Sequence, residues 1–333
     1  MKLSILDQLH ISPGCSSADA IAQSIAMAQA LEEFGYERHW LNEHHAVPYE
    51  TCVDPIVLAV SLAAATKRIR IGIGGVLLNN YSPYKVATSV MTLAALAPGR
   101  VDVGIGQSVS GPLVDLALQP DRTITQTNDQ EAKIVELLGH LWADLPADHQ
   151  FAPLKIMPDV IPPLPWIMAV GQNSSQRAGR LGLPLALSAF HRPEEAAASA
   201  EAYRKAFVPS GRKGLPEQPQ IFMAVRLTAA DTQVEAERLA MPMRWAFDQR
   251  RRHKIMPQYL PSVDEVVERA GGVWAAEPSC WPMYTISALE TLRDKLLTMA
   301  EAVGTDEIMM QDVIPDPERR MEHYADVARV MLR

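Results

Sequence analysis

Between residues 2 and 332 the chain alternates short apolar strands with helix-length stretches, and it does so eight times. Strand patterns fall at 2–7, 38–42, 68–78, 100–106, 166–170, 184–189, 220–227 and 307–311. Most are separated by a stretch with helical periodicity, as in 18–34, where Ile21, Ile25, Ala28 and Leu31 recur on one face before Gly35 ends the run. Asp54 with Pro55, and Ser82 with Pro83, mark the starts of two further helices. Strand–helix alternation implies a parallel sheet. Eight units in 333 residues predict an α/β fold, a (β/α)8 TIM barrel with loop insertions, spanning 1–333 as a single domain. The rival, a doubly wound open sheet, usually carries a glycine-rich phosphate turn after its first strand; here that segment holds a lone Gly14. Residues 107–127 and 256–283 read as irregular, and 144–165 carries too many prolines for regular structure.

Charge and cysteine content narrow the function. The net charge of −8 argues against a nucleic-acid binder, which needs a basic face. Cys15, Cys52 and Cys280 are odd in number and far apart, so neither a disulfide framework nor a zinc ribbon is expected. A reduced, cytoplasmic protein is the simple expectation. Asp7 interrupts the first apolar run before a signal sequence forms, and no apolar stretch reaches membrane-spanning length, so no membrane partner is expected.

A barrel carries its active site at the carboxyl ends of its strands. The polar residues there are Asp7, Gln8, Asn42, Glu43, His44, His45, Asn79, Asn80, Gln107, Ser108, Gly171–Ser175, His191, Arg226, Gln311 and Asp312. In Glu43-His44-His45 the adjacent histidines point to opposite sides, so one faces the cavity while the other packs outward; the alternative is two solvated imidazoles in a surface loop. The spacing does not suit a metal site. Gly72, Gly74 and Gly75 inside the third strand mark either close approach of a flat ligand or tight packing within the barrel. Gly104-Ile105-Gly106 lacks the third glycine of a dinucleotide turn. Gly171-Gln172-Asn173-Ser174-Ser175 opens a helix whose N-terminus suits a phosphate monoester, or is capped by one of its own serines. The basic run Arg250–Lys254 reads as a solvated face.

Together, LNEHHAVP, AAATKRIRIGIGGVLLNNYSP, LAPGRVDVGIG and PPLPWIMAVGQNSS…GRLGLPLALS resemble the bacterial-luciferase-like flavin-dependent monooxygenases over residues 3 to 207. The resemblance implies a (β/α)8 barrel, a homodimer, and reduced FMN (FMNH2) that adds dioxygen as a C4a-peroxyflavin to oxygenate a small-molecule substrate. It also implies a separate NAD(P)H:flavin reductase as the FMNH2 source, in keeping with the absence of a dinucleotide motif. By the same resemblance His44 is the catalytic histidine. Gly74 and Gly75 are the cis-peptide pair under the flavin, and Gly171, Gln172, Asn173 and Ser174 form the phosphate turn. Gln107 stands where relatives often have an arginine contacting the phosphate; Arg177 is the candidate to replace that charge. The loops at 107–127 and 256–283 are individual, so the resemblance does not fix the substrate. Two alternatives stay open: an F420-dependent oxidoreductase on the same barrel, and a non-catalytic flavin-binding relative.

Overall fold

The computed structural model describes residues 1–107, 111–118 and 129–332. Nine parallel strands form in chain order: β1 (Lys2–Asp7), β2 (Arg38–Leu41), β3 (Arg70–Leu77), β4 (Val101–Gly106), β5 (Leu164–Ala169), β6 (Leu185–Ser188), β7 (Ile221–Ala230), β8 (Thr285–Ala288) and β9 (Glu307–Gln311). Eight close into a barrel: β1 through β7 pair successively, and β9 pairs with both β7 and β1. The eight expected strands are these eight. Strand β8 was not anticipated. It pairs with Leu227–Ala230, where β7 runs past the barrel wall, and so lies outside the ring.

The helices are α1 (Ser17–Phe34), α2 (Pro55–Ala65), α3 (Pro83–Leu96), α4 (Pro112–Leu118), α5 (Gln130–Trp142), α6 (Gln172–Arg180), α7 (Ala196–Ala206), α8 (Gln233–Leu239), α9 (Met241–Asp248), α10 (Val263–Ala270), α11 (Leu289–Val303) and α12 (Pro317–Met331). Local chemistry sets their ends. Ser16 and Asp19 form a capping box on α1, and Gly35 at φ 87° ends it. Asp54 accepts from the Val57 N–H (3.1 Å) with Pro55 at the first turn of α2. Helix α4 corrects the irregular reading of 107–127, whose residues 108–110 and 119–127 lie outside the described residues. Helix α10 likewise corrects 256–283; its Ser262 cap accepts from the Glu265 N–H at 3.3 Å. Among the described residues no helix is long and apolar enough to cross a membrane.

The barrel is plugged at its amino end and open at its carboxyl end. Below, Arg38 is held between Asp102 (3.2 Å) and Glu307, while Trp166 Nε1 donates to Asp102 (3.1 Å). Above this layer the rings of Trp40, Trp166 and Phe222 pack with centroids 4.8–6.2 Å apart. Trp40 is the register partner of Gly72, and a Cβ on Gly72 would lie 2.2 Å from the indole. That glycine therefore serves packing. The open end holds the site.

Candidate active site

The mouth encloses a cavity of about 360 Å3, within the 300–1,000 Å3 range usual for ligand pockets. Its walls are the last residues of the strands: Gln8, Asn42 to His44, Gly74 and Gly75, Gly106 and Gln107, Ala169 and Val170, Ser188, Arg226 and Gln311. Leu6, Met168, Ala186, Phe190, Ala224 and Met309 form its apolar lining.

The two histidines diverge, although both lie in the loop beyond the end of β2 at Leu41. His44 opens onto the cavity with its side chain 39% exposed, and its Nδ1 contacts the Glu50 carboxylate. His45 turns the other way and meets Glu43 Oε1 at 2.9 Å. Glu43 also accepts from the Tyr81 hydroxyl (2.6 Å) and the Leu77 N–H (2.9 Å). It braces the loop against the end of β3 and has little capacity left for a ligand. Glu50 is 5% exposed at its side chain and lies 3.9 Å from His10 Nε2. Burial pushes the Glu50 carboxyl up, but the hydrogen bond and charge of His44, with the charge of His10, outweigh it and hold the pKa below its ordinary value. Asn42 also bonds the Glu50 carboxylate, and its Oδ1 is buried without a partner among the described residues.

Strands β3 and β4 supply a floor without side chains. The Gly74–Gly75 peptide is cis. A Cβ on Gly75 would lie 2.5 Å from the Gly104 carbonyl oxygen, and one on Gly104 would lie 2.7 Å from that of Ile73. Gly75 thus meets the packing expectation, and Gly74 and Gly75 both line the cavity. Gln107 is exposed on the same rim.

The turn Gly171–Ser174 lies beyond that rim, joined to it through Val170. Neither serine caps α6. Both hydroxyls donate back to the Gly171 carbonyl, at 2.9 Å and 3.0 Å. The first intrahelical bond runs from Ser175 N–H to Gly171 O, so the N–H groups of Gln172, Asn173 and Ser174 have no intrahelical acceptor. Arg177 contacts Gln130 and lies 3.7 Å from Glu131, both on α5.

One and two strands further around the ring, His191 after β6 and Arg226 on β7 face the cavity. The His191 pKa falls to about 4, through burial and then the charges of Arg226 and His44. Its Nδ1 lies 2.7 Å from Ser188 Oγ. Arg250–Lys254 are all exposed, as the reading of a solvated face expects, and Arg250 also lines the mouth. Among the described residues no cluster of His, Cys, Asp and Glu is arranged to hold a metal.

The sequence model of the luciferase-like monooxygenases matches residues 1–307. The chain belongs to this family. The luciferase-like chain is 31% identical to the uncharacterised protein YceB of Bacillus subtilis, with 99% of each covered. It is 35% identical to the N-acetyl-S-alkylcysteine monooxygenase of the same bacterium, over 72% of this chain and 70% of that one. Apo-MsnO8 superposes with a TM-score of 0.86 at 31% identity, covering 99% and 98%. Two more distant structures share the fold. One is the FMN complex of the oxygenating constituent of a Pseudomonas putida 3,6-diketocamphane monooxygenase (TM-score 0.74, 19% identity, 99% and 98% covered). The other is an F420-dependent secondary alcohol dehydrogenase (0.61, 17%, 99% and 98%).

Sequence reasoning missed Glu50, the partner of His44 in this luciferase-like site. Glu50 lies outside every strand end and comes to His44 because residues 10 and 50 form an isolated antiparallel bridge. No periodicity signals such a bridge. The PYE tripeptide after the histidines was the available trace.

Proposed function

We propose that this protein is a two-component FMNH2-dependent monooxygenase acting on a small organic substrate, with reduced flavin supplied by a separate NAD(P)H:flavin reductase. The observation that carries this is the shared rim: bare backbone at Gly74–Gly75, an anchored imidazole at His44, and an uncapped helix start just beyond β5. The residues present fit a flavin. The glycine floor has no side chain to obstruct a flat ring, the buried Asn42 Oδ1 awaits a donor, and the free amides at α6 suit a phosphate.

When bound, reduced flavin supplies the two electrons that let one oxygen atom of O2 enter the substrate while the other leaves as water. The protein's own residues set the conditions. The apolar walls at Leu6, Met168 and Met309 exclude water. Gly171, Gln172, Asn173 and Ser174 hold the phosphate through backbone N–H groups, and Gln107 adds a neutral donor at the rim. The contact of His44 Nδ1 with Glu50 leaves Nε2 as the nitrogen that takes and returns a proton.

Three unpaired cysteines fit a cytoplasmic enzyme. The continuity of the barrel from β1 to β9 supports one catalytic domain. The exposed apolar residues of α2 and α3 support a homodimer. Anaerobic titration with photoreduced FMN, followed by admission of air, tests the reading. Saturable binding and altered reoxidation kinetics are expected. Failure to bind FMNH2 overturns it, and preferential binding of reduced F420 replaces it with a hydride-transfer reading.

A further inference from the structure

Buried Arg38 and Arg226 and half-buried Arg320 differ in how their charge is met. Arg38 sits between Asp102 and Glu307, and Arg320 lies 3.1 Å from Asp7 and 2.9 Å from Asp312. Arg226 is 7% exposed and lines the cavity, yet among the described residues no carboxylate lies within ion-pairing distance of it. Its Nε donates to Gln311 Oε1 at 3.0 Å. Its guanidinium carbon lies 4.4, 4.2 and 5.4 Å from the ring centroids of Phe190, Phe247 and Tyr284. Aromatic faces ease the burial of a cation without neutralising it. Burial lowers the Arg226 pKa to about 10, with only the Tyr284 hydroxyl acting against that. The side chain remains charged at neutral pH, and Arg250 adds a second positive charge at the same mouth.

We infer that Arg226 is the recognition point for a carboxylate on the substrate. This deepens the flavin-monooxygenase reading and rests on it for the chemistry, although the anion site itself stands on Arg226 and its surroundings. A buried cation at a cavity wall gains most from an anion delivered by the ligand. The planar guanidinium matches a carboxylate in shape as well as charge. The position distinguishes this anion from a flavin phosphate. Arg226 rises from β7, two strands around the barrel from β5, whose following turn offers the free amides of α6.

A polar chain also links Arg226 to His44. Arg226 bonds Gln311 (3.0 Å), Gln311 Nε2 donates to Gln8 Oε1 (2.7 Å), and Gln8 Nε2 donates to Glu50 Oε1 (3.4 Å), the carboxylate that contacts His44 Nδ1. A carboxylate held at Arg226 is thereby placed at a fixed offset from the imidazole. The substrate class that fits is a small carboxylic acid with an apolar body that lies along the lining between the two. A purely packing role for Arg226, as a cation wedged among three rings, needs no anion.

Isothermal titration of the full chain, with and without anaerobically reduced FMN, separates the two. The probes are 3-phenylpropionate, 4-phenylbutyrate and hexanoate, each paired with its carboxamide. At least one acid is expected to bind tenfold or more tightly than its amide. Arg226→Met is expected to bring that ratio near one, and Arg226→Lys to retain part of it. Gln311→Glu places a carboxylate beside Arg226 and is expected to abolish the preference while the arginine remains, which controls for a folding defect in the methionine variant. A ratio near one for every pair in the wild type, including no binding at all, overturns the proposal. So does an Arg226→Met protein that loses affinity for FMN but not for riboflavin, because that assigns the arginine to the flavin phosphate. Retained acid preference in a wild type that binds no FMNH2 overturns the flavin reading and leaves the anion site standing.

Discussion

Nδ1 of His44 is bound to the carboxylate of Glu50, six residues further along the same loop. One carboxylate thereby fixes the ring and its tautomer, because an acceptor at Nδ1 keeps the proton there and frees Nε2. His44→Ala is expected to lower substrate-coupled oxygen uptake by about 10²–10⁴-fold, the usual worth of a positioned acid–base group. Glu50→Gln is expected to lower it by about 10–100-fold, a typical cost for losing an orienting partner. Glu50→Asp should restore part of the loss. Adding Glu50→Gln to His44→Ala should cost little more, because the two act as one unit. Reduced-FMN affinity should stay within a few-fold throughout. Additive losses in stopped-flow turnover would show that Glu50 does not act through His44.

Gly104 packs tightly under the cavity floor. A Cβ there would meet the Ile73 carbonyl oxygen and Met168 Sδ, both at 2.7 Å. The carbonyl belongs to the paired strand and cannot swing aside. Gly104→Ala is expected to destabilise the fold by about 1–3 kcal/mol, as overpacking does. It should also weaken FMN binding, because β3 carries Gly74 and Gly75. A urea midpoint equal to that of the wild type would mean that the two strands separate at no cost.

Most of the barrel was legible because its strands are dense in β-branched and apolar residues and are spaced by helix-length segments. Strand β8 was not, since Thr285–Ala288 is four residues long and follows an irregular stretch; its partner is the overrun of β7, which no local pattern announces. The divergence of His44 and His45 was expected, but it arises in the loop after β2, where each ring meets its own carboxylate, Glu50 and Glu43. The role of Gly72 did not, because it depends on an indole across the sheet. Arg226 and Gln311 were visible as polar residues at strand ends. The rings around Arg226 were hidden, because Phe247 lies on α9 and Tyr284 just before β8, both outside the barrel.

His323 on α12 is fully buried, and its Nε2 accepts the Ala229 N–H at 3.1 Å. Burial lowers its pKa to about 4 from an ordinary 6.5. The unfolded chain therefore binds a proton that the folded one refuses between those values. Stability from this group is complete above about pH 6.5 and is lost as pH falls toward 4. At about 1.36 kcal/mol per unit the loss reaches roughly 3 kcal/mol. Urea midpoints measured from pH 8 to 4.5 should fall accordingly. His323→Gln keeps an acceptor for Ala229 without titrating, so it should flatten this part of the profile. An unchanged slope in that variant would assign the acid sensitivity to other groups.

Helix α2 has two apolar faces with different destinations. Ala59, Leu62 and Ala63 are buried in the core, whereas Val57 (64%) and Val60 (40%) are exposed one turn apart on the other side. Leu96 ends α3 with 60% of its surface exposed. Core packing accounts for the first face and leaves the second exposed among the described residues. A second copy of the chain is the occupant that the proposed homodimer supplies. The wild type is expected to sediment at twice the 36.7 kDa chain mass, and Val57→Asp with Leu96→Asp is expected to yield monomers. The barrel contacts are untouched by these substitutions, so the thermal midpoint extrapolated to low protein concentration should match that of the wild type. A monomeric wild type at micromolar concentration would show that these side chains need no cover, and a dimer that survives both aspartates would place the interface on another face.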